Sequence, residues 1–429
     1  MGGSADIVSG SSGVVGGSAD IVSGSSGVVG GSAGIVSRNL GAVSGSAAAV
    51  GGNSRAAGNF MKEDRTMEYQ HGGDIYSQEV DLDFSANLNP FGLPEAVRRA
   101  AADSLGDCTV YPDSSSRKLT AALAAYHGVP QEQVICGNGA ADLIFGLALA
   151  LKPKRALVTA PAFSEYEQAL AAVDCRVSWL DLREQDGFRL NPRELLEKLS
   201  GEPQLLFLCN PNNPTGVSIP REDMEWVAGV CRKQGVRLVV DECFCDFLDA
   251  PESCSLIPFL EKYPNVFVLK AFTKLYAMAG LRLGYGLCTD GELMERLKQV
   301  RQPWSVSSVA QAAGLAALGE TGYVRASTEA IARERRWLSG ELTRLGLTVY
   351  GSEANYIFFR DPAGADRSVR GRLYEALLER RILIRSCANY RGLDNTYYRV
   401  CVRLHEDNEI LIRELERILA GADHLERQE

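Results

Sequence analysis

The chain has 429 residues and a formal net charge of −9, with 54 acidic against 45 basic side chains. The chain is acidic and contains no run of basic residues, which disfavours nucleic acid as a partner. No apolar run reaches the length of a membrane span. The hydrophobic fraction of 45% is typical of a soluble protein. Because 429 residues exceed one ordinary domain, we expect one large and one smaller domain.

The first sixty residues contain a repeat. A 14-residue unit that begins at Gly2 recurs with the same letters from Gly16, and a degraded copy begins at Gly30. The unit is rich in Gly and Ser and has no apolar stripe to bury, so we expect residues 1–60 to be disordered. It lacks the basic start and continuous apolar core of a secretory signal. Met61 and Met67 follow it, which leaves open a later start codon; a short β-solenoid or an adhesive tail are further alternatives.

Apolar strands alternate with amphipathic helices from about residue 99 to residue 300, a pattern typical of a parallel α/β sheet. We therefore predict an amino-terminal arm over residues 61–98, a large domain over 99–300, and a linking helix with a small carboxy-terminal domain over 301–429. In the last part, helical spacing runs from Ala310 to Leu342 and from Glu406 to Ala420. Strands are predicted at Leu347–Tyr350, Tyr356–Phe359 and Arg399–Val402.

A glycine-bearing turn follows the apolar run that begins at Val134. Gly139, Ala140 and Ala141 open a helix there, and the exposed N–H groups of a helix start suit a phosphate. Such turns often only connect elements, and this spacing fits neither the dinucleotide fingerprint nor the Walker loop. After the next strand, Phe163 could stack on a flat ring, although most aromatics at such places are packing residues.

Two further strands end in polar residues. The turn Asn210–Gly216, which contains Asn213, follows one apolar run, and Asp241 ends the next. The carboxyl ends of parallel strands are the usual location of function in such a sheet. A helix N-cap is the alternative for Asp241 when this residue is considered alone.

Lys274 follows the apolar run Val266–Leu269, is preceded by Thr273, and is followed by small residues and Arg282. This pattern is typical of a lysine that binds the aldehyde of pyridoxal phosphate, with an arginine to pair with the phosphate. A surface lysine after a buried strand is the alternative when the segment is considered alone. If Lys274 binds pyridoxal phosphate, Asp241 would keep the pyridine nitrogen protonated, and Asn213 would hold the ring hydroxyl.

Together these residues resemble the cofactor site of fold-type I pyridoxal-phosphate enzymes, the aspartate-aminotransferase superfamily, over roughly residues 68–420. The resemblance implies an α/β fold, with a mostly parallel seven-stranded sheet in the large domain and a smaller α+β carboxy-terminal domain. Tyr111 matches a tyrosine that reaches the cofactor phosphate of the neighbouring subunit, which implies a homodimer with shared active sites. The implied cofactor contacts are Gly139, Ala140, Ala141, Phe163, Asn213, Asp241, Thr273, Lys274, Arg282 and Tyr111.

Within the superfamily, the chain resembles the branch that contains histidinol-phosphate aminotransferase and threonine-phosphate decarboxylase. The stretches 71–75, 82–90, 385–394 and 398–403 favour the decarboxylase, as does Arg403, where the aminotransferase usually carries glycine. Phe244 stands where many aminotransferases have a tyrosine, and it favours the same reading or is neutral packing. The expected reaction is decarboxylation of L-threonine O-3-phosphate to (R)-1-aminopropan-2-yl phosphate, a step in cobalamin nucleotide-loop assembly.

Arginines are the expected contacts of this doubly anionic substrate. Arg399 aligns with the family's α-carboxylate arginine. Arg385 and Arg403, with Asn89 near the entrance, are candidates for the remaining contacts, including the substrate phosphate. Surface salt bridges are the alternative explanation for these arginines.

Other functions remain open from the sequence. A histidinol-phosphate-type aminotransferase and a non-catalytic binding module on the same fold are the two alternatives. Threonine phosphate and serine phosphate differ by one methyl group, worth only about 1–3 kcal/mol of discrimination. Eleven cysteines without CxxC spacing indicate buried thiols in a reducing cytoplasm, and the four histidines do not cluster, so no metal site is predicted.

Overall fold

The structure, a computed structural model, describes residues 71–363 and 373–426. The predicted disorder of residues 1–60 and the first ten residues of the predicted arm lie outside these ranges. The described strands are β1 Leu82–Asp83, β2 Val134–Gly137, β3 Arg155–Ala160, β4 Arg176–Asp181, β5 Leu205–Cys209, β6 Arg237–Asp241, β7 Val266–Ala271, β8 Gly284–Leu287, β9 Thr348–Tyr350, β10 Tyr356–Arg360, β11 Ile382–Leu383, β12 Arg385–Ser386 and β13 Tyr397–Cys401.

The helices lie between these strands. They are α1 Glu95–Asp103, α2 Arg117–His127, α3 Gly139–Leu151, α4 Ser164–Ala171, α5 Pro192–Leu199, α6 Arg221–Lys233, α7 Phe272–Leu275, α8 Gly291–Val300, α9 Ser308–Leu318, α10 Thr321–Arg344, α11 Leu373–Leu378 and α12 His405–Glu426. Among these helices, none combines the length and apolarity needed to cross a bilayer.

The large sheet has seven strands in the order β2-β8-β7-β6-β5-β3-β4. Neighbours pair in parallel, except that β8 runs antiparallel to both β2 and β7. The predicted seven-stranded, mostly parallel sheet is therefore confirmed.

Strand β5 shows why this sheet appears in the sequence as continuous apolar runs. Leu206 and Leu208 enter one hydrophobic core together with Met224 of α6, whereas Phe207 enters a second core together with Leu143 of α3. Because helices cover both faces, every residue of β5 is buried and alternation is lost.

The strand ends bring polar groups together. Cys209 at the end of β5 pairs with Asp241 at the end of β6, and Asp241 pairs with Leu269 of β7, which continues into α7. The residues that follow β5, β6 and β7 consequently meet at one edge of the sheet.

A smaller antiparallel sheet has the order β12-β13-β10-β9. Its register places Arg399 of β13 between Arg385 of β12 and Phe358 of β10. Strand β1 of the arm pairs in parallel with β11. In the sequence, β11 comes directly before β12 of the smaller sheet. The predicted strands of the small domain are confirmed.

The predicted helical stretch from Ala310 to Leu342 was wrong in one respect, because it is two helices, α9 and α10. Helix α9 ends at Leu318, and Gly319 follows as its cap. Glycine is a poor helix former, which explains why the helix ends there. The spacing of the apolar residues continues across this position and therefore did not indicate the break.

Candidate active site

A cavity of about 320 Å³ lies at the edge of the large sheet, with walls from the arm, both sheets and the turns between them. Ten of the residues predicted as site residues line it: Ala140, Ala141, Phe163, Asn213, Asp241, Thr273, Lys274, Arg282, Arg385 and Arg399. These residues span more than 250 positions of the sequence, and only the fold brings them together.

Lys274 lies on the short helix α7, which begins where β7 ends. Its amine lies 5.8 Å from the centroid of the Phe244 ring and has no hydrogen-bond partner among the described residues. Burial lowers the pKa of Lys274 to about 8, and the positive charges of Arg399 and Arg282 act in the same direction. A larger fraction of the amine is therefore neutral and nucleophilic near neutral pH.

Asp241 is held by two donors. The Tyr166 hydroxyl donates to Oδ2 over 2.7 Å, and the backbone N–H of Cys243 donates to Oδ1 over 3.0 Å. Asp241 is 5% exposed, and these two bonds fix the orientation of its carboxyl group within the cavity wall. A buried carboxylate of fixed direction suits a protonated ring nitrogen.

The start of α3 forms a cradle with Arg282. Gly139 has φ +78°, and a Cβ on it would lie 2.6 Å from Nη2 of Arg282. A Cβ on Gly284 of β8 would lie 2.5 Å from the backbone nitrogen of Ala140. The two glycines thus allow a guanidinium and a strand to approach the helix start, where backbone N–H groups and a positive dipole end attract a phosphate.

Arg399 is almost fully buried, and its contacts are directional. It donates through Nη1 to Oδ1 of Asn213 and through Nη2 to the carbonyl of Ser85 over 2.9 Å. Its Nε is buried without a partner in the described part of the chain. One hydrogen-bonding position of this buried guanidinium is therefore unfilled.

Arg385 lies beside Arg399 in register. It donates through Nη2 to Oδ1 of Asn389 over 2.8 Å, and its guanidinium lies 5.2 Å from the centroid of the Tyr390 ring, which also lines the cavity. Two neighbouring arginines give this wall the charge that an anionic ligand requires.

Four predicted site residues do not line the cavity. Gly139 contributes through the cradle rather than the wall. Asn89 donates to the Leu275 carbonyl and to Ser327, each over 2.8 Å. Arg403 donates to Asp407 over 2.9 Å and to the Asp83 carbonyl over 3.1 Å.

Tyr111 is the fourth of these residues. It is 78% exposed and stacks on Trp304, with ring centroids 4.6 Å apart. Its predicted role concerns the site of a second subunit. That role, like those of Asn89 and Arg403, stays a prediction.

Some cavity residues were not assigned a role from the sequence. His71, Asn87, Glu165 and Tyr390 line the wall. Asn87 stands two positions before Asn89 in the same motif and is the asparagine that lines the cavity; its Oδ1 is buried without a partner among the described residues. Glu165 lies 3.6 Å from Nδ1 of His71, and burial raises its pKa.

The cavity fits pyridoxal phosphate. Lys274 offers an amine for the aldehyde, Asp241 a carboxylate for the ring nitrogen, and Phe163 a ring face at the wall. The cradle of Arg282 and the α3 start leaves room that a Cβ would fill, which suits the phosphate group.

Comparisons with known proteins agree with this geometry. Residues 79–415 match the family model of aminotransferase class I and II. The threonine-phosphate decarboxylase of Salmonella typhimurium is 40% identical over 82% of this chain and 97% of its own. The adenosylcobalamin biosynthesis bifunctional protein CobDQ of Leptospira interrogans is 30% identical over 82% of this chain and 41% of its own.

Solved structures agree as well. The histidinol-phosphate aminotransferase of Clostridium acetobutylicum has a TM-score of 0.73 and 28% identity, covering 79% of this chain and 99% of its own. The fold, the match along most of the chain and the fit of the cavity lead to one conclusion. The chain belongs to the aminotransferase class I and II family and is a pyridoxal-phosphate-dependent enzyme of fold type I.

Proposed function

We propose that this enzyme decarboxylates L-threonine O-3-phosphate to (R)-1-aminopropan-2-yl phosphate, and that the product enters cobalamin nucleotide-loop assembly. The observation that carries the proposal is the pair Arg385 and Arg399, adjacent in register at the cavity wall. Two guanidinium groups match a substrate with a carboxylate and a phosphate. The similarity to a threonine-phosphate decarboxylase and to a bifunctional protein of adenosylcobalamin biosynthesis supports the same substrate and pathway.

Bound pyridoxal phosphate supplies an electron sink for the pair released when a bond at the substrate α-carbon breaks. In our proposal, the chain selects which bond breaks. Arg399 orients the α-carboxylate, and its bonds to Asn213 and Ser85 keep the guanidinium from turning. Arg385 takes the substrate phosphate, which fixes the other end of the molecule.

Lys274 then serves as the proton carrier. With a pKa of about 8, its Nζ can both hold and release a proton near neutral pH. After carbon dioxide leaves, the α-carbon needs one proton, and Lys274 is the amine at the cavity wall that supplies it. Asp241, fixed by Tyr166 and Cys243, keeps the ring nitrogen protonated throughout.

A histidinol-phosphate-type aminotransferase is the second candidate. Its substrate also carries an amine and a phosphate, and a solved structure of such an enzyme matches the fold. Phe244 distinguishes the two proposals, because it lines the cavity without the hydroxyl that many aminotransferases have there. We favour the decarboxylase for this reason and for the paired arginines.

The test is a product assay on the purified holoenzyme. We expect O-phospho-L-threonine labelled in the carboxyl group to release labelled carbon dioxide and to leave aminopropanol phosphate in equal amount. Histidinol phosphate with 2-oxoglutarate should give little glutamate. Glutamate formation without carbon dioxide release would overturn the decarboxylase and support the aminotransferase, and O-phospho-L-serine measures selectivity for the methyl group.

We further propose that the enzyme is a homodimer with shared active sites in the cytoplasm. Tyr111 and Trp304, which stack on each other, are both exposed, and so are Leu105 and Val110, which precede Tyr111 in the sequence. Exposed apolar side chains of this kind are typical of a contact surface. The cysteines of the chain are free thiols, which agrees with a reducing compartment.

A further inference from the structure

An ion pair lies behind the cradle, outside the cavity wall. Nη2 of Arg301, the residue that follows α8, donates to Oδ2 of Asp142 over 2.5 Å and to Oγ of Ser305 over 3.1 Å. The same Oδ2 accepts the backbone N–H of Asn138 over 2.9 Å. The Arg301 side chain is 9% exposed, so the pair is partly shielded from water.

Two glycines accommodate this pair. A Cβ on Gly146 of α3 would lie 3.0 Å from Cγ and Cδ of Arg301, so the arginine crosses the helix where a side chain is missing. A Cβ on Gly137 would lie 3.2 Å from Oδ2 of Asp142. The ion pair is therefore packed against Gly137, which ends β2, and against Gly146 within α3, on the two sides of the helix start that forms the cradle.

The charge of Asp142 has two opposite effects. Its carboxylate fixes Asn138 and, in the first turn of α3, interacts favourably with the helix dipole. It is also a negative charge one residue after Ala141, which lines the cavity at the proposed phosphate position, and an unpaired carboxylate there would repel a dianion. Arg301 removes that repulsion without removing the hydrogen bond to Asn138.

We propose that Arg301 is a positioning residue for the cofactor phosphate. It acts through Asp142, holding the carboxylate against the turn 137–139 and cancelling its charge. The inference depends on the assignment of the α3 start and Arg282 to the cofactor phosphate. Arg301 itself touches neither cofactor nor substrate in this account.

The experiment compares cofactors with and without phosphate. Full-length apoenzyme is titrated with pyridoxal phosphate and with pyridoxal, and both Kd values are measured by absorbance. We expect Arg301→Met to weaken pyridoxal phosphate about tenfold, because an unpaired charge is left near the dianion, and to change the Kd for pyridoxal less than about twofold. Arg301→Lys, which keeps the charge, should recover most of the affinity.

A double variant tests the electrostatic part. In the double variant Arg301→Met with Asp142→Asn, the repelling charge is absent. The amide carbonyl introduced at position 142 can still accept the hydrogen bond from the backbone N–H of Asn138, so the affinity for pyridoxal phosphate should partly return. Arg296→Met is the matched control on α8, where Arg296 pairs with Glu292 over 2.5 Å at the surface. It should leave both Kd values unchanged.

The outcomes separate cleanly. Equal weakening of both cofactors by Arg301→Met, or no weakening of either, would overturn the inference. If Arg301→Met does not fold, the single variant Asp142→Asn decides between the two explanations. We expect this variant to bind pyridoxal phosphate as tightly as the wild type or more tightly, because a negative charge near the phosphate is removed. If the ion pair between Arg301 and Asp142 has only a structural role, the variant should bind pyridoxal phosphate more weakly. Arg282→Met tests the underlying phosphate assignment separately, because it must discriminate the two cofactors whether or not Arg301 does.

Discussion

The Tyr166 hydroxyl reaches Asp241 from inside the hydrophobic core, donating a hydrogen bond of 2.7 Å while its ring stacks on Phe207 at a centroid distance of 4.9 Å. The ring is fully buried, so its position is set by packing on the large sheet. The orientation of the carboxylate in the active site is therefore fixed by the core.

Tyr166→Phe keeps the ring and removes only the hydroxyl. Oδ2 of Asp241 then loses a partner in a buried place, and we expect kcat/KM to fall about tenfold, the cost of a hydrogen bond to a charged group. Steady-state decarboxylation and the visible spectrum of the bound cofactor measure the effect. Unchanged kcat/KM with an unchanged spectrum would show that Tyr166 is only a packing residue.

The lowered pKa of Lys274 predicts a pH-dependent stability of the apoenzyme. The pKa is about 8 in the folded chain and near its ordinary value of 10.5 in the unfolded chain. Between these values the unfolded chain binds more protons, so the contribution of Lys274 to the free energy of unfolding rises with pH, by roughly 3 kcal/mol in total.

Denaturant unfolding of apoenzyme and of apo Lys274→Met, followed from pH 7.5 to 10.5, measures this term. Other groups titrate in the same range, so the quantity of interest is the difference between the two proteins. The wild-type curve should rise relative to that of the variant. Parallel curves would contradict the lowered pKa.

Arg385 is expected to recognise the substrate phosphate. Arg385→Met should raise KM for O-phospho-L-threonine by about tenfold or more, because a charge-assisted contact is lost, and should not affect binding of unphosphorylated L-threonine. Arg391→Met is the control, since Arg391 lies in the loop that follows β12 and pairs with Asp181 at 3.6 Å outside the cavity. Equal losses for both ligands would place the phosphate elsewhere.

Gly284 permits the close approach of β8 to the α3 start. In Gly284→Ala the new Cβ would lie 2.5 Å from the backbone nitrogen of Ala140, so the cradle must move and pyridoxal phosphate should bind more weakly relative to pyridoxal. Gly286→Ala is the control on the same strand, because its Cβ would meet the Phe267 ring at 2.2 Å. Both changes cost stability, about 1–3 kcal/mol for overpacking, but only the first should alter the ratio of the two Kd values.

Shared active sites can be tested by complementation. Lys274→Ala and Tyr111→Ala should each be impaired alone, whereas subunits mixed by unfolding and refolding should regain activity. The mixed dimer then contains one site with both native residues and one with neither. Absence of any recovery, with mixed dimers confirmed by co-purification of two differently tagged subunits, would contradict the role of Tyr111 in the partner's site.

The large sheet could be predicted because its central strands, β5, β6 and β7, are buried on both faces. Leu205–Cys209, Arg237–Asp241 and Val266–Ala271 appear as apolar runs that end in polar or small residues, and the structure places their ends together. The pairing of β1 with β11 gave no such signal. Each strand has two residues, too few for any periodicity, and the pairing depends on the rest of the fold.

Side-chain direction limited the prediction of the site. Asn87 and Asn89 stand in one irregular segment, where neither helical nor strand period tells which faces the cavity; Asn87 lines it and Asn89 bonds to α7 and α10. Tyr166 was visible in the sequence only as one more aromatic next to Phe163. Its function depends on its distance from Asp241, 75 positions away, which no local pattern contains.

The most direct test of the account is to identify the residue that carries the cofactor. Holoenzyme is reduced with borohydride, digested, and mapped by mass spectrometry. We predict a single phosphopyridoxyl group on Lys274 and none on Lys270, whose amine lies 2.8 Å from Asp246 in a buried ion pair. Modification at Lys270 or at another lysine, or a protein that takes up no label when supplied with pyridoxal phosphate, would contradict the account.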